Sequence, residues 1–156
     1  MKTLTGIITQ HIGEFTISND RQLLNTGLIH DFLKESYWAK DIPFEILLTS
    51  IENSFSIGMY NGQGQVGFGR IVTDYATFGY LADVFILEPY RGKGLSKAFM
   101  KYVMALDFVK NFRRFALGTK DAHGLYAQFG FTSLKSPGRM MEIHQPDIYQ
   151  QLKNKL

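Results

Sequence analysis

The 156-residue sequence contains no cysteine. This absence excludes a disulfide framework, a thiolate metal site and a cysteine nucleophile. The sequence also has no apolar run near the ~20 residues that a membrane-spanning helix requires, and residues 1–10 lack the apolar block of a secretory signal. No linker, internal repeat or low-complexity segment is visible. We therefore expect one soluble, cytoplasmic domain over residues 1–156, with no membrane partner.

The sequence also has only a small excess of positive charge, because the formal net charge is +3 and the isoelectric point is about 9.1. This mild basic excess suits an anionic cofactor, but it is too small to indicate nucleic acid by itself. The content of 45% hydrophobic and 20% charged residues is ordinary for a globular chain long enough to bury a core.

Hydrophobic periodicity predicts strands, two helices, three consecutive strands, a helix, a strand, a helix and two final strands. The predicted strands cover 3–18, 55–60, 66–72, 80–87, 114–119, 131–134 and 140–144, and the predicted helices cover 19–35, 43–51, 95–109 and 122–129. The tail from 146 to 156 is polar and expected at the periphery. This order indicates a mixed α/β fold, with a largely antiparallel central sheet flanked by helices.

A glycine-bearing turn joins the apolar strand 80–87 to the helix that follows it. Its residues are Arg91, Gly92, Lys93, Gly94, Leu95 and Ser96. The free N–H groups of a first helical turn and the helix dipole favour an anion there, and the glycines would let a phosphate approach the backbone. From composition alone, a pyrophosphate cradle and a plain solvated turn are both compatible with this stretch.

A second glycine pattern is a decoy. Gly62, Gly64 and Gly67 match the dinucleotide pattern Gly-x-Gly-x-x-Gly, which requires a strand before it and a helix opening inside it. Here Asn61-Gly62 is a strong hairpin signal, and a second strand follows. We therefore interpret these glycines as turn residues and exclude a Rossmann nucleotide site.

Two motifs resemble those of the GNAT superfamily of N-acetyltransferases. Residues 91–96, Arg-x-x-Gly-x-Ser, resemble its acetyl-CoA signature Arg/Gln-x-x-Gly-x-Gly/Ala, with serine at the last position. Residues 125–131 resemble its Leu-Tyr-x-x-x-Gly-Phe, at the usual separation. The resemblance covers roughly the whole chain, is specific mainly over 80–131, and is to small single-domain bacterial members. It implies the GNAT fold, with acetyl-CoA between the strands 80–87 and 114–119.

The resemblance also assigns roles to residues. Tyr126 is implied to be the general acid that protonates the leaving coenzyme A sulfur, although periodicity alone would make it a packing residue. The backbones of Val84, Phe85 and Ile86 are implied to bind the pantetheine arm as an added strand would. The remaining implied cofactor contacts are Arg91, Gly92, Lys93, Gly94, Leu95, Ser96 and Thr119, the last at a position where many relatives carry asparagine.

Asp83 is the one carboxylate inside the apolar strand, where a charge is costly unless it is paired or functional. It is either a base or ammonium anchor for the acceptor amine, or a buried aspartate satisfied by backbone donors. Tyr37, Trp38, Tyr75 and Phe78 lie in connectors that the fold would place over the substrate cleft. They are candidate walls for an amine, and each is equally compatible with the core.

The expected function is acetyl-CoA-dependent N-acetyl transfer to a primary amine of a small molecule or peptide. The amine would attack directly, because no cysteine can carry the acyl group. The alternatives are a non-catalytic acyl-CoA sensor and, last, a single-stranded nucleic-acid binder using the 14% aromatic content. No metal is expected, since His30 and His123 have no metal-binding spacing. The acceptor and the oligomeric state stay open, with a homodimer as one option.

Overall fold

The computed structural model describes residues 6–155, so predictions that fall on residues 1–5 and 156 lie outside it. The strands are β1 (Thr9–Ile12), β2 (Phe15–Ser18), β3 (Phe55–Asn61), β4 (Gly64–Thr73), β5 (Phe78–Ile86) and β6 (Arg114–Leu117). The α-helices are α1 (Thr26–Leu33), α2 (Phe44–Glu52), α3 (Leu95–Ala105), α4 (Asp107–Lys110), α5 (His123–Ala127) and α6 (Ile148–Lys153). None of the helices in the described range is long and apolar enough to cross a membrane.

The strands form one mixed sheet in the order β1-β2-β3-β4-β5-β6. All neighbouring pairs from β1 to β5 are antiparallel, and β6 alone runs parallel to β5 after the α3–α4 crossover. The predicted hairpin is confirmed, because β3 ends at Asn61 and β4 begins at Gly64. The Asn61 side chain accepts a hydrogen bond from the Gln63 N–H at 2.9 Å, which closes the turn. The mixed α/β architecture with a largely antiparallel sheet is therefore as predicted.

Each face of the sheet carries a helical layer with its own apolar cluster. On one face, α3 packs Phe99 and Val103 against strands β3 and β4, with both side chains fully buried. The ring of Phe99 occupies the space that a Cβ at Gly69 would need, so this glycine permits the close approach of α3. On the other face, α1 and α2 cover Phe68 and Phe85. Each fully buried side chain of this size contributes roughly 1.5–3 kcal/mol of transfer free energy.

The helical predictions need two corrections near their ends. The first helix does not start at Asn19, because α1 begins after Asn25, whose side chain accepts from the Leu28 N–H at 3.0 Å. The helix predicted over 95–109 is two helices, since Leu106 has an extended ψ of 130° between α3 and α4. That bend lets Leu106 stay 3% exposed while the chain turns toward β6. The apolar spacing predicted correctly which face of the helix is buried, but it did not predict the break at Leu106.

The strand predictions also need corrections. Strand β5 starts at Phe78, and Tyr80 is 41% exposed, so the strand is not buried on both faces. The segments 131–134 and 140–144 form no strands. Phe131 instead packs on the rings of Phe115 and Tyr126, at centroid distances of 5.2 and 5.9 Å. Packing of this aromatic ring, rather than sheet pairing, fixes where the chain goes after α5.

Candidate active site

An open cavity of about 860 Å³ lies where β5 and β6 separate. The two strands are paired only between Phe78–Leu81 and Arg114–Leu117. Beyond that point β5 continues to Ile86, whereas β6 has ended. Backbone from Ala82 to Ile86 therefore lines the cavity instead of pairing with β6, and the start of α5 forms the opposite wall.

A β-bulge aims Asp83 into this cavity. Phe68 pairs with Phe85 and Arg70 pairs with Ala82, so β5 has one residue more than β4 between the two pairs. Asp83 adopts a left-handed φ of 55° in the bulge. Non-glycine residues in this region cost of order 1–3 kcal/mol, and such strain is concentrated at functional sites.

Both carboxylate oxygens of Asp83 are held by side chains. Oδ2 accepts from Arg70 Nε at 2.6 Å, and Oδ1 accepts from Trp38 Nε1 at 3.0 Å. The Asp83 side chain is 8% exposed and that of Arg70 is 16% exposed. Of the two interpretations of Asp83, the one in which backbone donors satisfy it is therefore wrong, because the bulge turns the carboxylate toward Arg70 and Trp38. The carboxylate still lines the cavity, where a ligand can reach it.

The glycine turn has the geometry that a pyrophosphate cradle needs. Gly92 and Gly94 have left-handed φ angles of 76° and 80°, and a Cβ at either would meet no atom within 4 Å. Helix α3 starts directly after Gly94, so its first N–H groups have no partner within the helix. The residue types and backbone conformation therefore fit an anionic group.

The side chains of the turn divide between cavity, surface and core. Arg91 lines the cavity and donates from Nε to the Ile86 carbonyl at 2.9 Å, which fixes its direction. Ser96 lines the cavity as well. The Lys93 side chain is half exposed, and its Nζ lies 3.8 Å from Glu14 Oε1. Leu95 is 3% exposed, so only its backbone is available to a ligand.

Tyr126 lies on the α5 wall of the cavity. Burial, together with Tyr37 and Asp121, raises the pKa of the Tyr126 phenol, which therefore remains protonated at neutral pH. Thr119 lies on the same wall, and its hydroxyl accepts from the Ala122 N–H at 3.0 Å. This bond fixes the Thr119 side chain at the start of α5.

Only two of the four expected acceptor-side aromatics line the cavity. Tyr37 and Trp38 do so, with ring centroids 5.0 Å apart, and the Tyr37 oxygen accepts from the Lys120 N–H at 3.2 Å. Tyr75 instead packs against Phe108 at 5.2 Å, in the cluster under α3. Phe78 is 39% exposed at the start of β5 and does not reach the cavity.

The displacement of Tyr75 has a local cause. The Asp74 carboxylate accepts from the N–H groups of Ala76, Thr77 and Phe78. This turn gives Tyr75 a φ of 62° and directs its ring toward the α3 layer. The expected substrate-binding role for Tyr75 and Phe78 is therefore wrong.

The cavity residues that were not identified from the sequence include Arg70, Tyr80 and Tyr149. Arg70 carried a signal, since a charge inside an apolar strand points to a buried partner. Tyr149 lies on α6, in the tail that was expected at the periphery; most of this tail is exposed, but Tyr149 is partly buried and lines the cavity. Across residues 6–155, no three histidine, aspartate or glutamate side chains are grouped closely enough to hold a metal ion.

Comparisons with known proteins identify the family of this chain. The model of the acetyltransferase (GNAT) family matches residues 21–131, which is more than half of the chain. A Xanthomonas campestris pv. campestris structure, "a putative acetyltransferase belonging to the gnat family", is 45% identical with a TM-score of 0.86, covering 89% of this chain and 99% of that chain. A Gibberella zeae protein named "Putative acetyltransferase" is 31% identical, covering 74% of this chain and 77% of the relative.

A more distant structure shares the fold. It is a "predicted acetyltransferase with acetyl-CoA" from Clostridium acetobutylicum, 12% identical with a TM-score of 0.60, covering 83% of this chain and 94% of that chain. The family match of this chain runs through the cradle before α3 and through the α5 wall with Tyr126. Because the family model covers more than half of the chain, the chain belongs to the acetyltransferase (GNAT) family.

Proposed function

We propose that this protein is an acetyl-CoA-dependent N-acetyltransferase that acetylates a primary amine of a small molecule or peptide. The observation that carries the proposal is the meeting of three features in one cavity. These are the glycine turn before α3, which contributes Arg91 and Ser96 to the lining, the unpaired edge of β5 and the protonated phenol of Tyr126. Each supplies one requirement of acyl transfer from a thioester, namely anion binding, arm binding and proton donation.

The cofactor would lie across the separation of β5 and β6. The N–H groups at the start of α3 and the guanidinium of Arg91 would bind its pyrophosphate. The backbone of Val84, Phe85 and Ile86 would hold the pantetheine arm by strand-like hydrogen bonds. When bound, acetyl-CoA supplies an acetyl group already activated as a thioester. Its presence in the Clostridium acetobutylicum structure of the same fold supports this choice of ligand.

The residues of this chain would then supply proton transfer and orientation. Tyr126 would donate its proton to the leaving sulfur, since a phenol of raised pKa keeps that proton at neutral pH. Asp83, fixed by Arg70 and Trp38, would accept the proton that the attacking amine loses, directly or through a water, so that the products are a neutral amide and the thiol of coenzyme A. The amine attacks directly, because the sequence has no cysteine to carry the acyl group.

A melting scan combined with an amine panel tests the proposal. Acetyl-CoA at about 100 times its Kd should stabilise the fold by about 2.7 kcal/mol, and at least one amine should release coenzyme A. No thermal shift with acetyl-CoA or coenzyme A would disprove the cofactor assignment. A clear shift without coenzyme A release from any amine would instead favour a non-catalytic acyl-CoA sensor.

A further inference from the structure

The C-terminal helix α6 forms part of the cavity wall. Gln150 donates from Nε2 to Asp41 Oδ2 at 3.2 Å, and Lys153 Nζ lies 3.8 Å from Asp41 Oδ1. Asp41 is in the turn before α2 and has a left-handed φ of 62°. These contacts attach α6 to the α1–α2 layer and place Tyr149 against the apolar cluster of that layer and in the lining of the cavity.

Tyr149 lies beside the Arg70–Asp83 pair. Burial and the Asp83 charge raise the pKa of the Tyr149 phenol, and the Arg70 charge partly offsets them. The group is therefore a neutral hydrogen-bond donor at physiological pH. Among residues 6–155 its hydroxyl makes no hydrogen bond, so it is available to a ligand beside the carboxylate of Asp83.

The wall around Tyr149 is aromatic, and Asp121, the other carboxylate of the cavity lining besides Asp83, lies at the start of the opposite α5 wall. Phe32, Tyr37, Trp38, Tyr80 and Tyr149 all line the cavity. The Asp83 charge is compensated by Arg70 at 2.6 Å. A polyamine needs a carboxylate for its second ammonium group, and the aromatic rings around Tyr149 pack well on a flat apolar body.

We propose that Tyr149 is an acceptor-binding, specificity-determining residue that selects a primary amine carrying a flat apolar body. This proposal rests on the proposed N-acetyltransferase function. The ring of Tyr149 forms one side of the acceptor site, and its hydroxyl hydrogen-bonds to the acceptor beside Asp83. Helix α6 is thus part of the active site, held in place through Asp41.

Phenethylamine and cadaverine are matched probes, because both are primary amines and only the second carries another ammonium group. Trp38 is the sole tryptophan and lines the cavity, so its fluorescence reports amine binding without turnover. The variants are Tyr149→Phe, which keeps the ring, and Tyr149→Ala, which removes it. Gln151→Ala is the control, since Gln151 is exposed on the same helix.

The wild type should bind phenethylamine more tightly than cadaverine. Tyr149→Ala should raise the Kd and KM for phenethylamine at least tenfold, and Tyr149→Phe should raise them by a smaller factor. The acetyl-CoA Kd should stay within twofold in both variants, and Gln151→Ala should match the wild type throughout. Asp41→Ala removes the contacts that hold α6 in place. It should therefore also raise the KM for phenethylamine, although Tyr149 itself is unchanged.

Any of four results would overturn the inference. The first three are an unchanged phenethylamine Kd in both Tyr149 variants, a parallel loss of acetyl-CoA affinity, and tighter binding of cadaverine by the wild type. The absence of any Trp38 response to either amine would overturn it as well. Failure of the proposed function looks different, because phenethylamine would then change Trp38 fluorescence while no amine releases coenzyme A.

Discussion

Arg70 and Asp83 form an ion pair across the β4–β5 bulge, with a distance of 2.6 Å from Nε to Oδ2. Because both side chains are largely buried, each would be costly to leave in the wall without the other. Trp38 donates to the second oxygen of Asp83, which connects the pair to the segment between α1 and α2. One carboxylate thus ties two strands and the helical layer together beside the cavity.

Removal of the Asp83 charge should destabilise the fold. Asp83→Asn should lower the free energy of unfolding by about 3 kcal/mol, because it leaves Arg70 buried without a counter-charge. Asparagine tolerates the left-handed backbone of this position, so the effect reports the charge and not the bulge. Urea unfolding at pH 7 measures it.

The control for this prediction is Asp31→Asn. Asp31 pairs with Lys34 at 2.7 Å, but its side chain is 72% exposed. Exposed pairs typically contribute below about 1 kcal/mol. Adding Arg70→Met to Asp83→Asn should recover part of the lost stability. Similar losses for Asp31→Asn and Asp83→Asn would show that the buried pair has no special role.

A negatively charged side chain in the glycine turn before α3 should weaken acetyl-CoA binding. Gly94→Glu puts a carboxylate where we propose the pyrophosphate binds, so the acetyl-CoA Kd should rise at least tenfold, about 1.4 kcal/mol. The left-handed φ of 80° adds a fold cost of about 1–2 kcal/mol. Isothermal titration measures affinity, and a melting scan measures the fold separately.

Gly138→Glu is the charge control for the cradle. This glycine is exposed, has open space around it and does not line the cavity. The added charge should change acetyl-CoA affinity less than twofold. If Gly94→Glu binds acetyl-CoA as tightly as Gly138→Glu does, the pyrophosphate is bound elsewhere.

Features encoded by local turn chemistry were predictable from the sequence. Asn61-Gly62 set the β3–β4 hairpin, and the glycines before α3 adopt the left-handed angles that their residue type favours. Tyr126 was found through the motif around it and lines the cavity with Asp83. Residues close in sequence sufficed for each of these features.

Features set by distant contacts were not predictable. One donor to Asp83 is Arg70, 13 positions away, and this pairing depends on the register shift of the bulge. The place of Tyr149 depends on contacts from α6 to Asp41, more than 100 positions away. The six residues of α6 are too few for their apolar spacing to reveal such docking.

The free energy of unfolding should fall at alkaline pH because Tyr102 is buried. Burial raises the pKa of its phenol to about 12, and its hydroxyl donates to the Ile8 carbonyl at 2.8 Å. The unfolded phenol ionises near pH 10, so the folded state retains a proton that the unfolded state loses. Stability from this group is complete below pH 10 and is lost as the pH rises through 12, by about 3 kcal/mol in total.

Comparison with Tyr102→Phe isolates this contribution from the other tyrosines. At pH 8 the variant should be less stable by about 1 kcal/mol, because it lacks the hydrogen bond to Ile8. Above pH 11 that gap should close or reverse, since phenylalanine cannot ionise. Denaturant unfolding at both pH values measures it, and a gap that does not change with pH contradicts the assignment.

Tyr126→Phe tests the proton donor of the proposed reaction. The change keeps the ring and its packing on Phe131, and it removes only the hydroxyl. General acids contribute roughly 10²–10⁴-fold to rate, and we expect kcat to fall about 10²-fold because coenzyme A is a fair leaving group. The acetyl-CoA Kd should stay within threefold. Because the pKa of Tyr126 is raised, ionisation of this group should not reduce wild-type turnover between pH 7 and 9.

Tyr75→Phe is the matched control for the loss of a phenol, because Tyr75 packs against Phe108 outside the cavity. It should leave kcat within twofold of the wild type. An acyl donor with a more acidic leaving thiol needs less protonation, so the defect of Tyr126→Phe should shrink with such a donor. A constant defect across donors would mean that the hydroxyl positions a ligand without giving up its proton. Turnover equal to that of Tyr75→Phe with every donor would exclude Tyr126 as the acid and return the role to another group of the α5 wall.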